Sequence, residues 1–342
     1  MLQQALAKII EGEDLTAAEA QAALEVIMAG EASEAQIAAF LVGLRMKGER
    51  PCEIAGLASA MRQHCLKVRP RRQDVVDTCG TGGDALNTFN ISTAAAFIAA
   101  GAGVAVAKHG NRSVSSQCGS ADVLAELGVD IEMELARVSE CIDQVGVGFM
   151  FAPAHHPAMR HVMPTRRALG LRTVFNILGP LTNPADARRQ LLGVYDAALT
   201  SLVAQALREL GSERALVVHG LGGLDELSTL GPTQVAELAE GEVREYTIGP
   251  EDLGLRQAPP QDIGGGSVDD CARWLVQVLE GRPGARLDIA LLNAAGAILV
   301  AGRAASLPEG LEAARESVES GQARQKLADV IAFTRSGSTR RS

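Results

Sequence analysis

Aromatic side chains are scarce in this sequence, with 7 Phe, 2 Tyr and 1 Trp in 342 residues. Large rings therefore cannot fill the core, and 36 glycines with abundant alanine point instead to closely packed helices and strands. Cysteine is also sparse: the six, at positions 52, 65, 79, 118, 141 and 271, form no C-x-x-C pair and no Cys/His metal spacing. That excludes a disulfide framework and fits a reduced compartment. The longest apolar run, Ala94 to Ala107, is broken by Gly101 and Gly103 and is too short to span a bilayer. Glu11, Glu13 and Asp14 interrupt the N-terminal pattern where a secretory leader needs apolar residues. The expected location is the cytoplasm, without a membrane partner. Positive charge is in deficit, 32 Lys+Arg against 41 Asp+Glu for a net charge of −9, which argues against a nucleic-acid partner.

What is present is apolar: 47% of residues, with 21% charged, enough for a substantial core in one large domain or a large and a small one. Residues 2–67 read as successive helices. Leu2, Leu6, Ile9 and Ile10 form one stripe, and Thr16-Ala-Ala-Glu19 is a capping box for a helix ending near Gly30. Ser33 caps a third helix running to Gly48, and Pro51 opens a fourth that ends before Val68. Arg69 to Gln73 reads as a linker. From Asp74 onward short β-rich runs (Val75–Thr78, Val104–Ala107, Phe149–Phe151, Leu191–Tyr195, Ala215–His219) alternate with helical segments (Ile91–Ala102, Ala121–Leu127, Ala136–Val145, Ala197–Leu210). Such alternation predicts an α/β class with a mainly parallel sheet flanked by helices. A hairpin is expected around Gly241, and a buried helix over Asp288–Ala301.

Chemistry concentrates between Asp77 and Asp122. Gly80-Thr-Gly-Gly83 follows a predicted strand, where an open α/β sheet binds ligands, although four such residues alone equally make a structural turn. Asn87-Thr-Phe-Asn-Ile-Ser-Thr93 then brings more polar side chains to a helix start than capping needs, which suits an anion. Lys108-His-Gly-Asn-Arg-Ser-Val-Ser-Ser116 reads as a phosphate-binding loop with two cations and three hydroxyls. Cys79 and Cys118, with no base placed nearby, read as small filler rather than nucleophiles. Farther on, Asp225-Glu226 follows a glycine-rich turn; such a dipeptide is commonly a surface pair, and a phosphate site nearby makes it a Mg²⁺ site. Arg166 and Arg167 either meet a carboxylate or are solvated, which composition does not decide. His155 and His156, being adjacent, do not form a metal pair on a helix.

Taken together, Gly80-Thr-Gly-Gly-Asp84, Asn87–Thr93, Lys108–Ser116, Phe151-Ala-Pro-Ala-His-His-Pro157 and Asn176-Ile-Leu-Gly-Pro-Leu-Thr-Asn-Pro184 resemble the anthranilate phosphoribosyltransferases, of the nucleoside-phosphorylase-like phosphoribosyltransferases. The resemblance runs over nearly the whole chain, to the Asn293-Ala-Ala-Gly296 helix. It implies a small helical domain over 1–70, joined by part of the 165–190 segment, on a large α/β domain over 74–335. It also implies a homodimer joined through the helical domains. The reaction it implies is transfer of phosphoribose from phosphoribosyl pyrophosphate to anthranilate in tryptophan biosynthesis. Carried across by residue, Gly80, Gly83, Asp84, Thr88, Asn90, Ile91, Ser92 and Thr93 would bind phosphoribosyl pyrophosphate. So would Lys108, His109, Gly110, Asn111, Arg112, Ser113, Val114, Ser115, Ser116 and Ser120. Ser92, Asp225 and Glu226 would hold Mg²⁺, two ions with the diphosphate. Gly80, Asn111 and Arg166 would meet anthranilate, with His109 and Pro180 on its entry path. No acid–base dyad is implied; Lys108 and Arg112 would support the leaving charge. One departure is Gly222, where many relatives carry an acidic residue. A pyrimidine-nucleoside phosphorylase and a non-catalytic nucleic-acid-binding relative are the other readings of this fold. The filled phosphate motifs and the acidic balance stand against the second.

Overall fold

The computed structural model describes residues 1–83, 86–112 and 118–336. Helices α1 (Leu2–Ile10), α2 (Ala17–Met28), α3 (Glu34–Lys47) and α4 (Pro51–Gln63) form the N-terminal unit. Thr16 makes the capping box with Glu19 that the sequence pattern predicts, and Ser33, the expected cap of α3, makes a second with Gln36. Helices α2 and α4 touch at Gly56, where any Cβ would collide with the Ala17 carbonyl oxygen. The linker that follows is tied down: Arg69 N–H donates to Ser139 Oγ at 3.0 Å, and Arg71 N–H to Asp143 Oδ1 at 2.9 Å.

The rest is built on one seven-stranded sheet. Its strands are β1 (Val76–Gly80), β2 (Val106–Gly110), β3 (Val147–Phe151), β4 (Arg189–Gly193), β5 (Arg214–Gly220), β6 (Thr233–Ala239) and β7 (Glu242–Ile248). The spatial order is β3-β2-β1-β4-β5-β6-β7; the first five are parallel, and the β6–β7 hairpin adds an antiparallel edge. The hairpin turns at Glu240 and Gly241, both at positive φ (53° and 79°), which matches the right-handed twist of the strands. Connecting helices are α5 (Ile91–Gly101), α6 (Ser120–Glu126), α7 (Leu135–Val145), α8 (Ala152–His155), α9 (Met163–Leu169), α10 (Phe175–Leu178) and α11 (Leu199–Glu209). The chain ends in α12 (Val268–Leu279), α13 (Ala285–Val300), α14 (Leu307–Glu319) and α15 (Gln322–Ser336).

Period-two alternation sends neighbouring strand residues to opposite faces. Leu191, Leu216 and Val218 pack under α5, α13 and α14, while Leu192, Val217 and Ala236 share a second core with α11 and the N-terminal helices. The helical unit therefore closes its core partly on the sheet, together with Val162, Val174, Phe175 and Leu178 from the 162–181 segment.

Strand β2 departs from the sequence expectation. It runs to Gly110 rather than stopping at Ala107, so Lys108, His109 and Gly110 are strand residues and not the head of a loop. Lys108 pairs with Phe149 and His109 with Met150 across to β3. The physical reason is long-range neutralisation: the buried Lys108 ammonium lies among Asp77 and Thr78, partners some thirty residues away in the chain.

Candidate active site

Order β3-β2-β1-β4-β5 places the topological switch between β1 and β4, where a parallel sheet opens a crevice at its carboxyl ends. Both strands end there in glycine, and Gly80 pairs with Gly193. The absent side chains are filled by Asp225: a Cβ on Gly193 would collide with the Asp225 carbonyl oxygen, and one on Gly80 with its carboxylate. Gly222 and Gly223, at φ 83° and 91°, supply the turn that delivers this residue.

The carboxylates are buried, at 8% exposure for Asp225 and 7% for Glu226, so the Asp-Glu dipeptide is not a surface pair. Gly82 N–H donates to Asp225 Oδ2 at 2.7 Å, and Ser92 N–H donates to Glu226 Oε1 at 3.0 Å. Helix α5 has no side-chain cap of its own at Asn90, and Glu226 meets its N-terminus instead. Burial pushes the Asp225 carboxyl above its ordinary value, with the Gly82 N–H working against it. The pair is set from behind by Asn293 of α13, wholly buried, whose Oδ1 accepts from Leu227 N–H at 2.9 Å and whose Nδ2 donates to Leu227 O at 2.8 Å.

Lys108 is buried one layer below. Its ammonium donates to Thr78 O at 2.5 Å and to Ser92 Oγ at 3.2 Å. Burial lowers its pKa, and the Asp77 charge opposes that shift. Asp77, itself wholly buried, accepts from His109 N–H at 3.1 Å. Asn90 Nδ2 donates to Cys118 O at 3.3 Å, which ties the α5 start to the chain entering α6. The side chains of Ile91 and Thr93 are buried, so a ligand at the α5 start would meet these residues only through their backbone. Thr88 is bridged to Gly264, and Gly265 N–H donates to Asn87 O at 2.7 Å.

At the exit of β2, Asn111 O accepts from Ala121 N–H at 3.2 Å and from Ser120 Oγ at 3.3 Å, while Gly110 leaves room for Ser120 and Phe149. Arg112 pairs with Asp122 at 2.8 Å and lies over the Phe151 ring. Asp84, Ser113, Val114, Ser115 and Ser116 lie outside the described residues.

The residues expected on the acceptor side are His109 on β2, Pro180 in the turn after α10 and Arg166 on α9. The His109 ring is buried, with no partner for Nε2, and its centroid lies 5.2 Å from that of His156. Burial, then the two neighbouring histidines, hold it well below the ordinary imidazole range, so it is neutral near pH 7. Pro180 is buried in the adjacent turn and its carbonyl accepts from Gln190 Nε2 at 2.8 Å. Arg166 on α9 lies over the Phe175 ring at 5.4 Å, and its guanidinium touches Met163 Sδ at 3.9 Å. Half-buried, with its pKa lowered by desolvation, it has no carboxylate partner among the described residues. A cation held in this way is available to a carboxylated ligand.

Gly193, Asn293 and Arg172 complete the site and were given no role from the sequence, whereas Gly82 lies within the glycine turn already singled out. Of the three, Gly193 had a local signal, as a glycine ending an apolar strand, where close backbone approach is the usual cause.

The chain matches the glycosyl transferase family in two parts: the helical bundle domain over residues 3–65 and the a/b domain over 72–324. Anthranilate phosphoribosyltransferase of Symbiobacterium thermophilum is 53% identical over 329 residues, 96% of each chain. The crystal structure of the Thermus thermophilus anthranilate phosphoribosyltransferase superposes with a TM-score of 0.92 at 46% identity, covering 97% of this chain and 99% of that one. The Saccharomyces cerevisiae enzyme, 29% identical, matches with a TM-score of 0.89 over 98% of both chains in its complex with PRPP and Mg. The same enzyme has also been solved with 4-fluoroanthranilate (28% identity, TM-score 0.87, 98% of both chains). The chain belongs to the anthranilate phosphoribosyltransferase family.

Proposed function

We propose that this chain transfers the 5-phosphoribosyl group of phosphoribosyl pyrophosphate to the amine of anthranilate, releasing pyrophosphate, as a step of tryptophan biosynthesis. The observation that carries this reading is the buried Asp225–Glu226 pair set against the Gly80–Gly83 turn and the α5 N-terminus, with an unneutralised guanidinium at Arg166. The first half suits a metal diphosphate and the second a carboxylated aromatic.

Asp225, Glu226 and Ser92 offer only oxygen, which fits a hard ion such as Mg²⁺. Among the described residues no three His, Cys, Asp or Glu side chains are grouped so as to hold a metal ion, so the rest of such an ion's shell would come from water and substrate phosphate. When bound, Mg²⁺ neutralises charge on the departing diphosphate. Two ions are part of this reading.

The protein's own work is positioning. The amine of anthranilate is neutral near pH 7 and needs no strong base before it attacks ribose C1, while the bond from C1 to pyrophosphate breaks. Arg166 orients the carboxylate and thereby the amine. The neutral His109 ring adds no charge to the acceptor side. The α5 N-terminus and the buried Lys108 charge favour the anion that departs.

A homodimer belongs to the same proposal. Ile10 on α1 and Met46 on α3 are 76% and 84% exposed, and such apolar side chains on the helical unit support association there. A cytoplasmic location also belongs to it, supported by six free cysteines. No helix among the described residues is long and apolar enough to cross a membrane.

Loss of anthranilate fluorescence on adding phosphoribosyl pyrophosphate and Mg²⁺ tests the reaction. A folded protein that leaves the fluorescence unchanged with both substrates present overturns the reading. Light scattering during size exclusion tests the dimer.

A further inference from the structure

The Gly80–Gly83 turn has no side chain with which to anchor its far end. Gly82 and Gly83 sit at φ 66° and 78°, so glycine is required and the backbone must be held from outside. Three of its bonds are to the switch-point crevice: Thr81 N–H donates to Gly193 O at 2.9 Å, Thr81 Oγ1 accepts from Tyr195 N–H at 3.1 Å, and Gly82 N–H reaches Asp225. A further bond comes from outside the crevice. Arg172, in the segment after α9, donates from Nη2 to Gly83 O at 2.6 Å, and its guanidinium lies 4.2 Å from the Tyr195 ring centroid. It has no carboxylate partner among the described residues and is exposed, so no packing requirement explains where it lies.

We infer that Arg172 is a positioning residue for the diphosphate. It latches Gly83 to the Tyr195 ring and so preforms the turn that holds Asp225 beside the diphosphate. It follows Arg166 of α9 by six residues in the chain, yet acts on the diphosphate half of the site alone. The geometry on which this stands is a planar donor lying over one ring while one of its nitrogens grips a carbonyl, an arrangement suited to guanidinium. The inference rests on the phosphoribosyl-transfer reading above.

The test compares Arg172→Ala, Arg172→Lys and Tyr195→Leu with the unaltered enzyme, varying each substrate separately. Binding of Mg²⁺-phosphoribosyl pyrophosphate without anthranilate is measured in parallel by calorimetry. In Arg172→Ala the KM and Kd for phosphoribosyl pyrophosphate are expected to rise about tenfold, the scale of one charge-assisted hydrogen bond. The kcat and the anthranilate KM should stay within about twofold, because the loss is one of binding alone. Arg172→Lys, which keeps the cation on the ring, should recover part of the loss. Tyr195→Leu should reproduce part of it, and the double variant should lose less than the sum of the two. Unchanged KM and Kd in Arg172→Ala overturn the inference, as does an equal loss in all parameters with a lowered melting temperature. An unaltered enzyme that binds the diphosphate without consuming anthranilate overturns the transfer reading, and the calorimetric comparison then still decides the role of Arg172.

Discussion

A methyl group at Gly193 would occupy the space of the Asp225 carbonyl oxygen, and the obstacle is backbone, which cannot swing aside as a side chain could. Gly193→Ala is therefore expected to push the 224–226 segment out of the crevice. Overpacking of this kind costs about 1–3 kcal/mol, and Mg²⁺-dependent turnover should fall much further than stability does. Thermal melting beside a Mg²⁺ titration of the rate separates the two effects, and normal turnover would show that Asp225 need not sit on Gly193. Arg166 makes the contrasting case. Its charge has no carboxylate partner among the described residues, so removing it strands no buried carboxylate there. Arg166→Ala should leave the fold intact and raise the anthranilate KM about 10–100-fold, the equivalent of a charged hydrogen bond of roughly 1.5–3 kcal/mol. The kcat should change little if the contact is equal in ground and transition states. Steady-state kinetics with anthranilate varied checks this, and an unchanged KM would place the carboxylate elsewhere.

Helix α13 lies behind the site and fixes it through one side chain. Asn293 takes both the N–H and the C=O of Leu227, the residue after Asp225-Glu226, in a place without exposure. Asn293→Leu keeps the shape but leaves two buried backbone groups unsatisfied, at about 1–3 kcal/mol each. Lower stability by denaturant titration, together with weakened Mg²⁺ dependence, is the expected outcome; full stability would mean that water or another group takes over the bonds. The element boundaries were legible in the sequence wherever the signal was local. Thr16 and Ser33 cap their helices, Pro51 opens α4, and Gly241 turns the β6–β7 hairpin, because each acts within a few residues of itself. The glycine turn and the Asp225-Glu226 pair were legible as chemistry, though the burial of the carboxylates was not. Lys108 shows why. A lysine after an apolar run reads as the start of a loop, yet here Thr78 O, Ser92 Oγ and the Asp77 charge draw it inside. Arg172 is the same case, since both of its partners, Gly83 and Tyr195, are distant in the chain.

At the scale of the molecule, the helical unit and the sheet meet over a cluster of neutral imidazoles. Leu66, just beyond α4, exchanges two bonds with His155: its N–H donates to His155 O at 2.8 Å, and its carbonyl accepts from Nδ1 at 3.0 Å. His156 lies between Cys65 and the His109 ring of β2. Burial lowers all three imidazoles, His156 from 6.5 to about 4. As pH falls through 6.5 the unfolded chain binds these protons first, and each such proton favours unfolding. The contribution of His156 to stability is thus complete above its unfolded value and is lost progressively until pH reaches about 4. Over that span one group is worth about 3 kcal/mol. Asp77 and Asp225, whose carboxyls burial pushes upward, carry the opposite sign, so the bare pH profile mixes the two. His156→Gln isolates the imidazole. Denaturant unfolding at pH 7 and at pH 4.5 should show the variant losing less stability than the native chain, by about 2 kcal/mol. Equal losses would mean that His156 accepts its proton in the folded state without cost. A smaller loss in the variant would locate the acid sensitivity at the junction beside the acceptor side of the site, and activity should then fade over the same pH range.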